Sequence, residues 1–402
     1  MSTAGAKAVA SAAANGVSTA GIGAVVTGPC PPVPAVSRPP RPAPPRADPA
    51  QRAVGGAALA TPGLVAPAGV AAPPAVPATS WLVADLDTGA VLGGCGPHEY
   101  ATPASVQKLL LAAAMLPKLD PRQVVTVTAG DLDIEPGSSA VGLAEGGRYR
   151  VETIWLGLLL ESGNEAANAL ARLGGGADGL PGGVRAMNEE ARRLGALQTH
   201  AVTPSGLDGP GQFTSAYDLA LIARACFADP AFRRYDATRE AEIPAQPALR
   251  EKAFQIQNDN QLLYRYPGAL GGKTGYTDLA RHTYVGAAER NGRRLVVTLL
   301  GAEVVDKRGW QQGAALLDWG FALPRDASVG RLVRPGELAS PAPGSSVAPP
   351  ALAAAGGPAG LEPVGHRWLR PGPLAGLSLA ALVVGVAALV LVLRRRAVRR
   401  QP

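Results

Sequence analysis

Cysteine and histidine are both scarce in this chain, with three of the first and four of the second among 402 residues. Cys30, Cys95 and Cys226 make no C-x-x-C pair and have no metal-ligand spacing with a histidine, so the sequence offers no metal centre. Cys95 and Cys226 read as isolated thiols, with a bridge between them left open for an oxidising compartment. Aromatic residues are only 4 % and charged residues only 17 %, yet 47 % of the chain is hydrophobic, which suffices for a buried core. An acidic excess is missing too, since the net charge is +7. Five of the positive charges, Arg394, Arg395, Arg396, Arg399 and Arg400, crowd the C-terminus. Without them the body is nearly balanced, so the basic character gives no case for a nucleic-acid partner.

What is abundant is small, apolar or proline, and it is clustered. Residues 374–393 form an unbroken apolar or small run with Ser378 as its one hydroxyl. At about 1.5 Å per residue, such a run spans the roughly 30 Å hydrocarbon core of a bilayer. The basic tail at 394–402 follows directly. The positive-inside rule then places the C-terminus in the cytoplasm and everything before the span outside, as a single-pass protein of the cell membrane. Residues 1–30 are a weak signal-like segment, rich in Ala, Gly and Val with Lys7 nearby. The V-T-G-P-C stretch before Cys30 has no leucine at the lipobox position, which argues against a lipoprotein. Residues 31–77 and 334–373 are Pro- and Ala-rich and read as linkers. The folded unit is therefore expected over 78–324, a length that fits one globular unit.

Within that unit, 80–85 and 90–93 flank Asp87-Thr88-Gly89 as a β-hairpin. Helices are expected over 105–116, 151–160, 165–173, 187–195 and 215–227. A strand at 270–277 precedes a hairpin of 282–289 and 293–301, turned by Asn291-Gly292, the strongest short hairpin signal there is. An amphipathic helix over 310–319 closes the unit. Strands at both ends and helices in the middle predict an α+β fold (α/β in the broad sense) in which one antiparallel sheet is built from both ends.

Three short motifs carry chemistry. Ser105-Val106-Gln107-Lys108 is S-x-x-K, and positions i and i+3 share a helix face, so the lysine amine can reach the serine hydroxyl. A serine is a poor nucleophile until a base removes its proton, and a desolvated lysine beside another cation can be that base. At a helix start, free backbone N–H groups also favour developing negative charge. Alone, the motif is more often an N-cap serine beside a solvated lysine. Ser162-Gly163-Asn164 lies in an interhelical loop, where the hydroxyl can relay a proton and the amide can hold a carbonyl; alone it is a helix cap. Lys273-Thr274-Gly275 lies on a strand after Gly271-Gly272. Lys273 and Thr274 can bind a carboxylate, and Gly275 lets a substrate strand come close. The Tyr276 N–H can pair with that of Ser105 as an oxyanion hole.

Taken together, in this order and in these settings, the motifs resemble the active site of the penicillin-binding proteins and serine β-lactamases. Asp85 to Gly89, Glu165-Ala166-Ala167, Met187-Asn188, Gly206-Leu207, the run 215–220 and Asn260-Gln261-Leu262-Leu263 narrow the resemblance to the low-molecular-weight serine D-alanyl-D-alanine carboxypeptidases, over roughly 80–303. The resemblance implies a β-lactamase/transpeptidase-like fold, with an antiparallel five-stranded sheet flanked by helices and an all-helical subdomain. It implies Ser105 as nucleophile, Lys108 as base and Ser162 as proton relay. Asn164, Lys273, Thr274, Gly275 and Tyr276 become substrate-binding residues. It implies peptidoglycan stem peptide as substrate, β-lactams as covalent inhibitors, and neither cofactor nor metal.

Two positions depart from the family pattern. Arg281 stands where a small residue is expected and would either block the groove or add a carboxylate contact. Gln212 stands where a polar ring residue is common. The rival readings are a serine β-lactamase, against which no E-x-x-x-N segment lies between Ser162 and Lys273, and a catalytically silent, wall-binding protein, against which all three motifs are intact.

Overall fold

The computed structural model describes residues 24–35, 37, 39 and 43–339. In chain order these form β1 (Val25–Gly28), α1 (Pro49–Arg52), β2 (Leu64–Pro67), β3 (Ser80–Asp85), β4 (Ala90–Cys95), α2 (Lys108–Met115), β5 (Val124–Thr126) and β6 (Arg148–Arg150). There follow α3 (Val151–Leu160), α4 (Asn164–Gly174), α5 (Gly179–Leu194), α6 (Ala216–Ala228), α7 (Pro230–Asp236), β7 (Glu240–Ile243), β8 (Phe254–Gln257) and α8 (Leu262–Arg265). The chain closes with β9 (Ala269–Thr277), β10 (Arg281–Arg290), β11 (Arg293–Ala302), α9 (Gly309–Ala322) and β12 (Gly330–Arg331).

The main sheet is antiparallel, in the order β1-β2-β4-β3-β11-β10-β9, with β12 on β4. Inside it lies β11, between β3 and β10, whose side chains alternate with the period of two that a strand imposes. Val296 and Leu300 belong to the core under the helical middle of the chain, while Leu295, Val297 and Leu299 belong to the core under α9. Burying a side chain of this kind is worth about 1.5–3 kcal/mol. The sheet is thus a middle layer. α2 to α7 lie on one face, and α9 lies on the other, where Trp319 meets Trp81 edge-on with ring centroids 6.2 Å apart. Gly93 makes this possible, because a Cβ there would sit 2.6 Å from the Trp319 ring. The hairpin turn is as expected: Asn291 (φ 51°) and Gly292 (φ 69°) both have positive φ, matching the twist of β10 and β11.

The sheet is wider than five strands. β4, β3, β11, β10 and β9 are the expected five, and β1, β2 and β12 extend them. The linker expected over 31–77 accordingly contains structure. Leu59 and Val65 are fully buried, and β2 pairs with β4 through Leu64–Cys95 and Val65–Gly94. Short strands among prolines carry too little periodicity to be read from composition. The cysteine reading is corrected as well. Cys30 is bridged to Cys95, tying the segment after β1 to β4, whereas Cys226 is the buried free thiol, set beside the Leu109 carbonyl.

Among the described residues no helix is long and apolar enough to cross a membrane. The span expected at 374–393, its tail at 394–402, most of the linker at 334–373 and most of the signal-like segment lie outside the described residues.

Candidate active site

Ser105 lies in a 3-10 turn (Ala104–Gln107) that runs straight into α2. The turn is held under strain. Ala104 has φ +50°, a left-handed conformation that non-glycine residues rarely adopt. It is fully buried, and Gly206 packs so tightly on it that a Cβ at Gly206 would lie 1.9 Å from the Ala104 carbonyl oxygen. The turn holds Ser105, partly exposed, between β9 and the loop 201–212: Gly275 closes on the Ser105 amide and Gly206 on the Ala104 carbonyl.

Three residues on, Lys108 is fully buried. Its Nζ is 2.8 Å from Ser105 Oγ, 2.7 Å from Asn164 Oδ1 and 2.9 Å from the Ser205 carbonyl oxygen. The last two can only accept. They take two N–H bonds and leave the third position of the amine facing Ser105. In the neutral amine that position is a lone pair, to which the serine hydroxyl can donate. Burial pushes the Lys108 pKa well below the ordinary lysine value, and the charge of Lys273 pushes it further down, against an opposite pull from Glu165.

Ser162 and Asn164 enter from between α3 and α4. Ser162 is buried with φ +62°, and its Oγ has no hydrogen-bond partner. A buried hydroxyl without a protein partner is free to bond with a substrate group. The neighbouring Glu165, also buried, fixes the loop in front: its Oε1 accepts from the amides of Val141 (2.6 Å) and Gly142 (2.8 Å). The Asn164 amide donates to the Ser139 carbonyl at 2.9 Å.

β9 forms the opposite wall. Gly275 faces the nucleophile's turn: a Cβ there would lie 2.7 Å from the Ser105 amide nitrogen and 3.1 Å from that of Val106. Only glycine lets the strand approach so closely. Lys273 is buried, with Nζ donating to the Thr274 carbonyl at 3.0 Å. Burial lowers its pKa to about 8, opposed by Asp259, Asp236 and Glu161. Thr274 is the partly exposed group beside Lys273. Tyr276 is exposed. Its hydroxyl donates to Asp278 at 3.0 Å and accepts from Arg281 at 2.8 Å.

Arg281 neither points into nor closes the groove as a free cation. Its Nε pairs with the buried Glu303 at 3.0 Å, and its guanidinium lies over the Tyr276 ring, 5.3 Å from the centroid. Gln212 is buried and joins the loop 201–212 to Gln107. Sequence reasoning did not find the Ser205 carbonyl, because a backbone acceptor leaves no side-chain signature. It also passed over Asp236, fully buried, whose carboxylate accepts from the Gly272 amide at 2.6 Å and secures β9 just before Lys273.

Comparison with known proteins identifies the family. The model of the peptidase S11 family, D-alanyl-D-alanine carboxypeptidases, matches residues 68–304. The chain is 46 % identical over 274 residues to the D-alanyl-D-alanine carboxypeptidase DacB2 of Mycobacterium tuberculosis, covering 67 % of this chain and 90 % of that one. It is 34 % identical over 263 residues to DacD of Escherichia coli, covering 62 % of this chain and 64 % of that relative, a little under two thirds of its length. Among solved structures, it is similar to the crystal structure of a D-alanyl-D-alanine carboxypeptidase from Mycobacterium tuberculosis (TM-score 0.62, 45 % identity, 66 % of this chain and 99 % of that one). The Streptomyces K15 DD-transpeptidase is a second neighbour (TM-score 0.60, 26 % identity, 63 % of this chain and all of that one).

Proposed function

The chain belongs to the D-alanyl-D-alanine carboxypeptidase family, and from that premise we propose that it runs the family's reaction with Ser105 as nucleophile and Lys108 as base. The activity is that of a serine-type carboxypeptidase, which the family match favours over a β-lactamase or a silent wall-binding protein. The observation that carries the residue assignment is the amine of Lys108, held by two carbonyl acceptors with its third position on Ser105 Oγ.

In this reading Ser105 Oγ attacks the carbonyl carbon of the D-Ala–D-Ala bond as its proton passes to Lys108 Nζ. The carbonyl oxygen takes the negative charge between the Ser105 and Tyr276 amides. The tetrahedral intermediate collapses when the departing amine takes a proton, which Ser162 Oγ relays from Lys108, and D-alanine leaves. Lys108, neutral again, then takes a proton from water as the water attacks the ester, and returns it to Ser105 Oγ as the acyl bond breaks. Asn164 holds the acyl part. Thr274 contacts the terminal carboxylate, and Lys273 supplies positive potential behind it. Gly275 keeps the strand against the nucleophile.

The substrate is the stem peptide of peptidoglycan, and β-lactams are covalent inhibitors that stop at the acyl stage. The catalytic unit includes the sheet extension at 25–67 as well as the expected 78–324. We place it outside the cell, anchored by residues 374–393 with the C-terminus in the cytoplasm. The length and apolarity of that run, and the arginines after it, support this placement.

The test is release of D-alanine from a peptide ending in D-Ala–D-Ala by the full-length chain. Ser105→Ala is expected to abolish release. Release undiminished in that variant would refute the assignment of the nucleophile.

A further inference from the structure

The Ser205 carbonyl lies in a stretch with no regular structure, so something other than a helix or strand must fix it. The groups that fix it converge on one side chain. Gln212 Oε1 accepts from four donors: the Val202 amide (3.0 Å), the Thr203 amide (2.9 Å), Thr203 Oγ1 (3.2 Å) and Gln107 Nε2 (2.9 Å). Gln212 Nε2 donates onward to the Leu207 carbonyl. The loop from 202 to 207 is therefore folded around this amide, with Ser205 at its middle. Gln107 completes the link, because it sits in the nucleophile's own turn between Ser105 and Lys108, and its Nε2 also donates to the Thr203 carbonyl at 2.5 Å. Gln107, Ser205 and Gln212 are all buried.

We propose that Gln212 is a positioning residue for the acylation step, holding the Ser205 carbonyl on Lys108 Nζ so that the amine keeps its third position on Ser105. The proposal rests on Lys108 being the base. A single amide clamps both sides of the contact, the acceptor loop and the turn that carries the nucleophile. Without it, the segment 202–207 loses the partners of two backbone amides and one carbonyl. Lys108 then loses both a fixed acceptor and part of its cover. The charged groups that face Lys108 are Lys273 on β9 and Glu165 on α4, and neither touches Gln212 in this network. Loosening the loop admits water to the amine without altering either charge. Since burial is the largest cause of the lowered lysine pKa, the base form then requires a higher pH.

The test is Gln212→Met in the full-length chain, which keeps the side-chain volume and deletes every hydrogen bond. The second-order rate of acylation by a fluorescent penicillin is followed as a function of pH. The expected result is a fall of about 10- to 100-fold, the range for an Ångström-scale misplacement, together with a shift of the acidic limb to higher pH. Gln212→His, which offers one acceptor and one donor, is expected to recover part of the rate. A wild-type rate, or a lower rate with an unmoved limb, would overturn the proposal, the second by making Gln212 a purely structural residue. Should Q212M not fold, Thr203→Val removes the hydroxyl that joins Gln212 Oε1 to the Gly206 amide; an unmoved limb in T203V overturns the proposal equally. Failure of the reading itself looks different, since Lys108→Arg would then acylate near the wild-type rate.

Discussion

Lys108 Nζ lies 2.8 Å from Ser105 Oγ, three residues along a helical turn and with the lysine fully buried. That pairing sets the pH dependence of the reaction. The pKa of Lys108 is depressed, so its base form appears well below the pH at which an ordinary lysine loses its proton. The acylation rate is expected to rise with pH through this lowered value and then level off. Lys108→Arg puts a group that stays protonated at the same place. It is expected to lower acylation by at least about a hundredfold, the lower range for loss of a general base. Stopped-flow acylation as a function of pH checks both. A K108R rate near wild type would exclude lysine as the base.

Ser162 separates function from stability. Its hydroxyl is buried without a partner, so Ser162→Ala removes an unsatisfied polar atom while leaving the backbone conformation as it is. The melting temperature is expected to be unchanged or higher, and D-alanine release to fall by about a hundredfold or more. Loss of stability together with activity would make Ser162 part of the framework instead.

Gly275 is a steric requirement. In Gly275→Ala the new methyl would meet Thr283 Oγ1 at 2.5 Å and the Ser105 amide nitrogen at 2.7 Å. Backbone stands on one side, so β9 must move away from the nucleophile. The expected cost is about 1–3 kcal/mol of stability from overpacking and about a hundredfold in acylation from the displaced strand. Thermal melting and penicillin labelling measure the two. Acylation at the wild-type rate would mean that the strand's close approach is not used.

Asp236 gives a stability test. Burial raises its pKa to about 8, against the opposing effects of the Gly272 amide and the Lys273 charge. A carboxyl whose folded pKa is raised holds its proton more tightly in the folded state. Its contribution to stability is full below the unfolded value of 3.8 and is lost as the pH rises through about 8. Asp218, raised to about 7 by burial, acts in the same direction. The wild-type melting temperature is expected to fall across that window. In Asp236→Asn the fall should be shallower, by a few °C at the alkaline end, given about 2–4 °C per kcal/mol for a domain of this size. Parallel curves for the two proteins would show that Asp236 is not held protonated.

The side chains assigned to the candidate site were legible because local geometry fixes their relations. S-x-x-K puts two groups on one face of a turn, Asn-Gly dictates the hairpin after β9, and glycine beside Thr274 announces a close approach. The five central strands followed from alternation. What stayed hidden depends on partners distant in the chain. The Cys30–Cys95 bridge spans 65 residues, and no local pattern distinguishes Cys95's partner. β1 and β2 are four residues each, β1 in the Ala-, Gly- and Val-rich stretch and β2 in the Pro- and Ala-rich one, and they are held by pairing of β2 with β4 and of β1 with β2. Arg281 read as either an obstruction or a carboxylate contact because its partner Glu303 is 22 residues away. The Ser205 carbonyl could not be read at all, since every residue has one.

The most direct measurement is to react the full-length chain with benzylpenicillin, digest it, and locate the penicilloyl group by mass spectrometry. A single adduct on the peptide that carries Ser105, absent from Ser105→Ala, is the expected result. An adduct on Ser162 or another residue, or an S105A protein that still labels, would contradict Ser105 as the nucleophile.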